Sequence, residues 1–253
     1  MANPPSVGFA HLNKAPITEA VIDYRVQPRD GITPSNFNEV RERLRAEFPV
    51  AVDVKTFEAH LGFDESGQPR TPESKHQHLG TMLRNEAAAE AVQFRTDGFT
   101  FNKLAPYTSW SEIYPRAQHF WQMYCEVARP LATSRVAVRF INKIRIPLPI
   151  GDLGDYLKTA PNVPQELPQQ LRQFLTRVVL YEPSEDLSAT VTQALEPSAS
   201  QDEIVVLFDI DAFRDLPRAA EPQQIDQTFQ RLHLLKNKIF FNCLTDRALE
   251  LFR

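Results

Sequence analysis

The sequence predicts an α+β fold, in which a duplicated unit of strand, helix, antiparallel strands and long helix builds one curved antiparallel sheet with its helices packed on one face. Three observations carry this expectation. Short runs alternate with period two, as in ITEAVIDYRV at 17–26 and RVAVRFINKIRI at 135–146. Two long stretches, one from Ser109 to near Pro130 and one carrying Ile225, Phe229, Leu232 and Ile239, have apolar residues at helical spacing. The order of elements in 17–130 then returns in 135–252 with negligible identity. Two repeats are therefore expected, 1–131 and 132–253, fused into one compact unit.

In the first repeat, Ala20, Ile22, Tyr24 and Val26 face away from Glu19, Asp23 and Arg25, which is the pattern of a half-buried strand. Thr33 before Pro34 reads as an N-cap and first helical residue. Phe37, Val40, Leu44 and Phe48 then extend a helix over 34–48. TFEAHLGF at 56–63 returns to period two and reads as a strand. The run DESGQPRTPESKHQH at 64–78 has no large apolar residue and is expected to be a mobile loop. Strand character resumes at 79–83. AVQFRT, Asp97-Gly98 and FTFNKL form a hairpin signal, with glycine suited to the positive φ of a type I′ turn. Ser109 with Glu112 matches a capping box before a helix carrying Ile113, Ala117, Phe120, Tyr124 and Val127.

In the second repeat, Val136, Val138, Phe140, Ile144 and Ile146 oppose Arg135, Arg139, Lys143 and Arg145, and Asn142 interrupts the apolar side. A short helical piece at 152–158 and a helix at 166–176 (Leu167, Leu171, Phe174) precede strands at 177–181, 188–194 and 204–211. A long helix with Ile225, Phe229, Leu232 and Ile239 and a short one over Leu244, Leu249 and Phe252 close the chain. By analogy of element order, TATA-box-binding-protein-like and helix-grip-like sheets are comparable; such sheets leave one face open, and the analogy does not extend to function.

With 253 residues the chain buries roughly 70–75% of its unfolded surface, so it needs no disulfide or metal staple. Cys125 and Cys243 lie in amphipathic stretches and read as unpaired, buried small side chains. Their low number, the absence of a secretory leader pattern and the absence of an 18-residue apolar run lead to the expectation of a cytoplasmic protein without a membrane partner. A formal net charge of −4 does not favour nucleic acid, so such binding would need a local patch.

The strongest local patch is the basic strand. Arg135, Arg139, Lys143 and Arg145 project to one side, where they either meet an anionic ligand or acidic partner, or pair with Glu19, Asp23, Asp209 and Asp211. Asp209 and Asp211 form a D-x-D that can share a hard cation such as Mg²⁺ or Mn²⁺. His76 and His78 could hold Zn²⁺ only with a third ligand, and His119 and His233 read as surface or core histidines on helices. The glycine-loop, nucleophile-elbow and zincin motifs are absent, and nothing in the chain calls for a cofactor.

The phrases KAPITEAVIDYRV, DGFTFNKLAPYTSW, RFINKIRIPL and KNKIFFNCLTDRALELF resemble, in the same order and over nearly the whole chain, a family of uncharacterised, sporadically distributed bacterial proteins known by a placeholder family name. The resemblance implies a bacterial cytoplasmic protein and supplies no activity, cofactor or catalytic residue. Patchy distribution is typical of accessory genes such as toxin–antitoxin and defence components. Two functions remain open. One is a binding or regulatory module using the basic sheet face; the other is a metal-dependent phosphoryl-transfer or hydrolytic enzyme using Asp209 and Asp211.

Overall fold

A computed structural model describes residues 9, 12–60, 73–217 and 220–253. Its nine described strands are β1 (Ile17–Gln27), β2 (Val50–His60), β3 (Glu73–Asn85), β4 (Glu90–Arg95), β5 (Gly98–Leu104), β6 (Ala132–Pro147), β7 (Leu175–Glu182), β8 (Leu187–Glu196) and β9 (Glu203–Asp215). They form one antiparallel sheet in the order β2-β3-β4-β5-β1-β6-β9-β8-β7. β1 and β6 are central neighbours, and each is flanked outward by the last strands of its own half, β5-β4-β3 on one side and β9-β8-β7 on the other. The boundary between 131 and 132 falls just before β6.

Two long helices, α2 (Trp110–Ala128) and α3 (Pro222–Cys243), cover one face; α1 (Asn38–Arg43) and α4 (Asp246–Glu250) are short. The even residues of β1 and β6 point toward the long helices. Ala20, Ile22, Tyr24, Val138, Phe140 and Ile144 are all buried. The contact is largely aromatic: Tyr24 stacks on Trp121 at 4.1 Å and meets Phe229 at 4.7 Å, while Phe208 stacks on Phe240 at 5.9 Å. Burying each such ring contributes about 1.5–3 kcal/mol, which makes this layer the main source of cohesion.

Five local expectations are corrected by the structure. The helix expected over 34–48 is a 3₁₀ turn (Pro34–Phe37) followed by α1, because Pro49 disfavours helical backbone at Phe48; Leu44 and Phe48 are buried all the same. Residues 73–78, expected within a mobile loop, belong to β3 and pair with β2 from His60 to Lys55. Backbone ladder bonds order this polar segment where side-chain burial would not. The remainder of that expected loop, 64–72, lies outside the described residues.

The β4–β5 hairpin closes at Arg95 opposite Gly98, with Thr96 and Asp97 as its loop and no positive φ at any of these positions. Gly98 is required for a different reason, since a Cβ there would stand 2.2 Å from the Tyr24 carbonyl oxygen. Ser109 does precede α2, yet its hydroxyl meets Ser111 at 3.0 Å instead of capping the helix. Finally, 166–176 is not helical. Pro168 restricts Leu167, the Gln169 amide donates to the Pro164 and Leu167 carbonyls, and Leu167 lies exposed without a surface to pack on.

Candidate functional site

The odd residues of β1 and β6 face away from the long helices, and this is where the four cations of the basic strand lie. Each of them meets a carboxylate. Arg139 grips Asp209 with two nitrogens, Nε at 2.9 Å and Nη2 at 2.6 Å. Arg135 reaches Asp211 at 3.4 Å and Asp23 at 3.8 Å, with its guanidinium over the Phe213 ring. Lys143 pairs with Glu196 at 2.7 Å, and Arg145 pairs with Glu203. Glu19 accepts from Asn102 at 2.5 Å.

On the other half of the face, Arg25 and Arg95 both contact Asp23 and Asp97. The face is therefore a lattice of balanced charge, and its D-x-D is already engaged by arginines. Among the described residues no group of three His, Cys, Asp or Glu side chains could hold a metal ion. The Asp209 hydrogen bond raises the Arg139 pKa, whereas burial pushes the Asp211 carboxyl upward against the pull of Arg135 and Arg139. His78 bonds the Gly80 carbonyl at 2.7 Å, and the His119 ring lies edge-on to Phe120.

A mutation measures what one of these pairs contributes. The Arg139 side chain is 48% exposed and that of Asp209 12%, so solvent screens one end of the pair only. Arg139→Ala is expected to cost about 1–2 kcal/mol in urea denaturation, between the values for exposed and buried pairs. No measurable loss would show Arg139 to be energetically idle in the lattice.

On the helix-covered face, the packing around Asn142 departs from apolar. Asn142, 1% exposed, occupies a core position of β6, and its amide donates to the carbonyls of Phe140 (3.2 Å) and Phe208 (2.9 Å). Near it on α3 is Lys236, only 6% exposed, with its Nζ 3.7 Å from the centre of the Phe140 ring. Among the described residues no carboxylate pairs with this ammonium, and burial pulls its pKa down to about 7. One turn earlier His233 stacks on Trp110 at 4.4 Å; burial, and then the charge of Lys236, pull its pKa to about 3. Trp110 is fixed by a 2.9 Å bond to Gln230, Tyr107 meets Phe140 edge-on, and burial raises the Tyr107 phenol.

These side chains line a cavity of about 250 Å³. Its walls come from the segment before β1, the β5–α2 connection, the middle of β6 and the second half of α3. The site was missed in the sequence, although two signals were present. Asn142 interrupts an apolar strand face, and Lys236 stands on the buried stripe of α3 between Leu232 and Ile239. Chemically, the arrangement offers one buried amine among rings and neutral polar groups. No family model, curated relative or solved structure matches the chain.

Proposed function

We propose that this protein is a binding or regulatory module whose ligand occupies the groove over Lys236, and not the basic strand. The observation that carries this reading is a buried amine with no carboxylate partner among the described residues, on the wall of an aromatic-lined cavity. A concave, largely apolar pocket with a few converging polar groups and a perturbed titratable residue is the usual form of a ligand site. The balanced charge of the sheet's polar face, by contrast, leaves none of its four basic-strand cations without a carboxylate, and its paired aspartates weaken the metal-dependent enzyme reading. Membership of the sporadically distributed bacterial family, with a cytoplasmic accessory role of the toxin–antitoxin or defence kind, belongs to the same proposal.

Thermal shift against a panel of short organic acids, neutral amides and Mg²⁺-nucleotides tests it. A ligand present at a hundred times its Kd adds about 2.7 kcal/mol of stability. The expected result is a shift that disappears in Asn237→Trp, which fills the groove, and persists in Arg139→Ala. A nucleotide-dependent shift lost in Arg139→Ala and kept in Asn237→Trp would move the function to the sheet face.

A further inference from the structure

We propose that the groove takes a small monocarboxylate with a flat apolar body, its carboxylate paired with Lys236 and its body held among the rings of Tyr107, Trp110 and Phe241. The inference rests on the groove being the ligand site and adds the ligand's charge, size and shape.

The charge follows from what surrounds Lys236. An ammonium largely withdrawn from water without a counter-ion is costly, and the face of Phe140 supplies only a weak substitute. A carboxylate removes that cost and forms a charge-assisted hydrogen bond with the amine. One negative charge suffices. Among the described residues, His233 and Tyr107 are the other titratable groups that line the cavity. Burial keeps the imidazole uncharged and the phenol protonated, while β6 contributes the uncharged Phe140 and Asn142. A phosphate dianion would need a second cation or several more donors. Lys143 and Arg145 lie on the opposite face of β6, already pair with Glu196 and Glu203, and line with the exposed Lys14 a separate neighbouring cavity.

The size follows from the volume, about 250 Å³, which is below the roughly 300–1,000 Å³ of sites for drug-sized molecules. The shape follows from the rings. Trp110 is held between His233 and Tyr114 in parallel stacks at 4.4 and 4.7 Å, so both of its faces are taken and it offers the cavity a ring edge whose position is fixed before any ligand arrives. Phe241, another ring of the lining, stacks on Phe9 at 5.1 Å. A fixed ring edge favours the face of a second ring, and a rigid aromatic body loses little entropy on meeting it.

Isothermal titration of the full chain with benzoate, hexanoate, benzamide and benzylamine tests the class. Benzoate is expected to bind, with benzamide and benzylamine at least about tenfold weaker and hexanoate in between. Lys236→Met should lose benzoate by at least about tenfold while remaining folded by circular dichroism. Because the amine must carry its proton, the benzoate affinity should be level below about pH 7 and fall roughly tenfold per unit from about pH 8 to 10. Its proton uptake should register as a dependence of the heat on buffer. A merely structural lysine gives neither signature. Benzamide binding as tightly as benzoate, or a flat profile from pH 6 to 10, overturns the carboxylate while Asn237→Trp sensitivity would still uphold the groove. Failure of both acids to bind at about 10 mM also overturns it. Failure of the groove reading itself would show as binding, of any probe, that Asn237→Trp leaves intact.

Discussion

Replacing Arg95 by alanine is expected to remove about 3–5 kcal/mol of stability, the largest loss predicted for a polar residue of this protein. Arg95 is 5% exposed, the most buried cation of the sheet's polar face. Its guanidinium donates to Asp97 at 3.0 Å, Asp23 at 3.3 Å, Gln93 at 3.3 Å and the Thr100 hydroxyl at 2.6 Å. Thr100 in turn donates to Asp23 at 2.6 Å, so the three strands β4, β5 and β1 are joined through one planar group. Truncation leaves Asp23, its side chain 14% exposed, with the Thr100 hydroxyl and with Arg25 at 3.2 Å and Arg135 at 3.8 Å as its remaining cations, and it removes the donor to the Gln93 carbonyl oxygen. Urea denaturation measures the loss. The double variant Arg95→Ala/Asp23→Ala should lose less than the two single variants together, because removing both partners leaves no uncompensated charge. A single-variant loss below about 1 kcal/mol would reduce Arg95 to an ordinary surface ion pair.

Arg95 also shows how far the sequence could be read. Its strand was evident, since the apolar–polar alternation of β4 and β5 is a one-dimensional signal that survives without any knowledge of neighbours. Its partner was not, because Asp23 lies 72 positions away and meets Arg95 only through the pairing of β1 with β5 and of β5 with β4. The same holds for Arg139 and Asp209, 70 positions apart and brought together by the β6–β9 register. A row of cations is legible from spacing, whereas whether each is spent on a carboxylate depends on register.

Two of the misread segments, 166–176 and 73–78, have a related cause. Leu167, Leu171 and Phe174 have helical spacing, but spacing stabilises a helix only where something packs against it, and Leu167 is exposed. Residues 73–78 have no apolar side, yet a paired backbone needs none. The groove lay between these cases. Asn142 on an apolar strand and Lys236 on an apolar helix stripe were each visible as exceptions, and only the contact of α3 with β6 through Phe140 makes them one site.

Replacing Lys236 by methionine is expected to stabilise the protein, by about 2–5 kcal/mol at neutral pH, and the gain should depend on pH in a defined direction. In the unfolded chain the amine titrates near 10.5, and in the fold burial brings it to about 7. Below pH 7 both states carry the proton, so the folded protein bears the full cost of a buried charge. Between pH 7 and 10.5 the unfolded state binds more protons than the native state, so wild-type stability rises with pH through this window. Above 10.5 the amine is neutral in both states and the cost is gone. Methionine has a similar length and no charge, so its advantage should be greatest at or below pH 7 and shrink toward zero near pH 10.5. It should widen further below pH 6.5, because Lys236 also lowers the pKa of His233, whose refusal to accept a proton in the fold destabilises the protein as pH falls toward 3. For a chain of this size the neutral-pH gain corresponds to a Tm increase of roughly 5–15 °C. A lower Tm, or a gain that is the same at pH 6 and pH 10, would show that Lys236 keeps a counter-ion in the free protein. If the expected pattern is found together with loss of benzoate binding, the lysine weakens the fold and serves the ligand, as residues at binding sites commonly do.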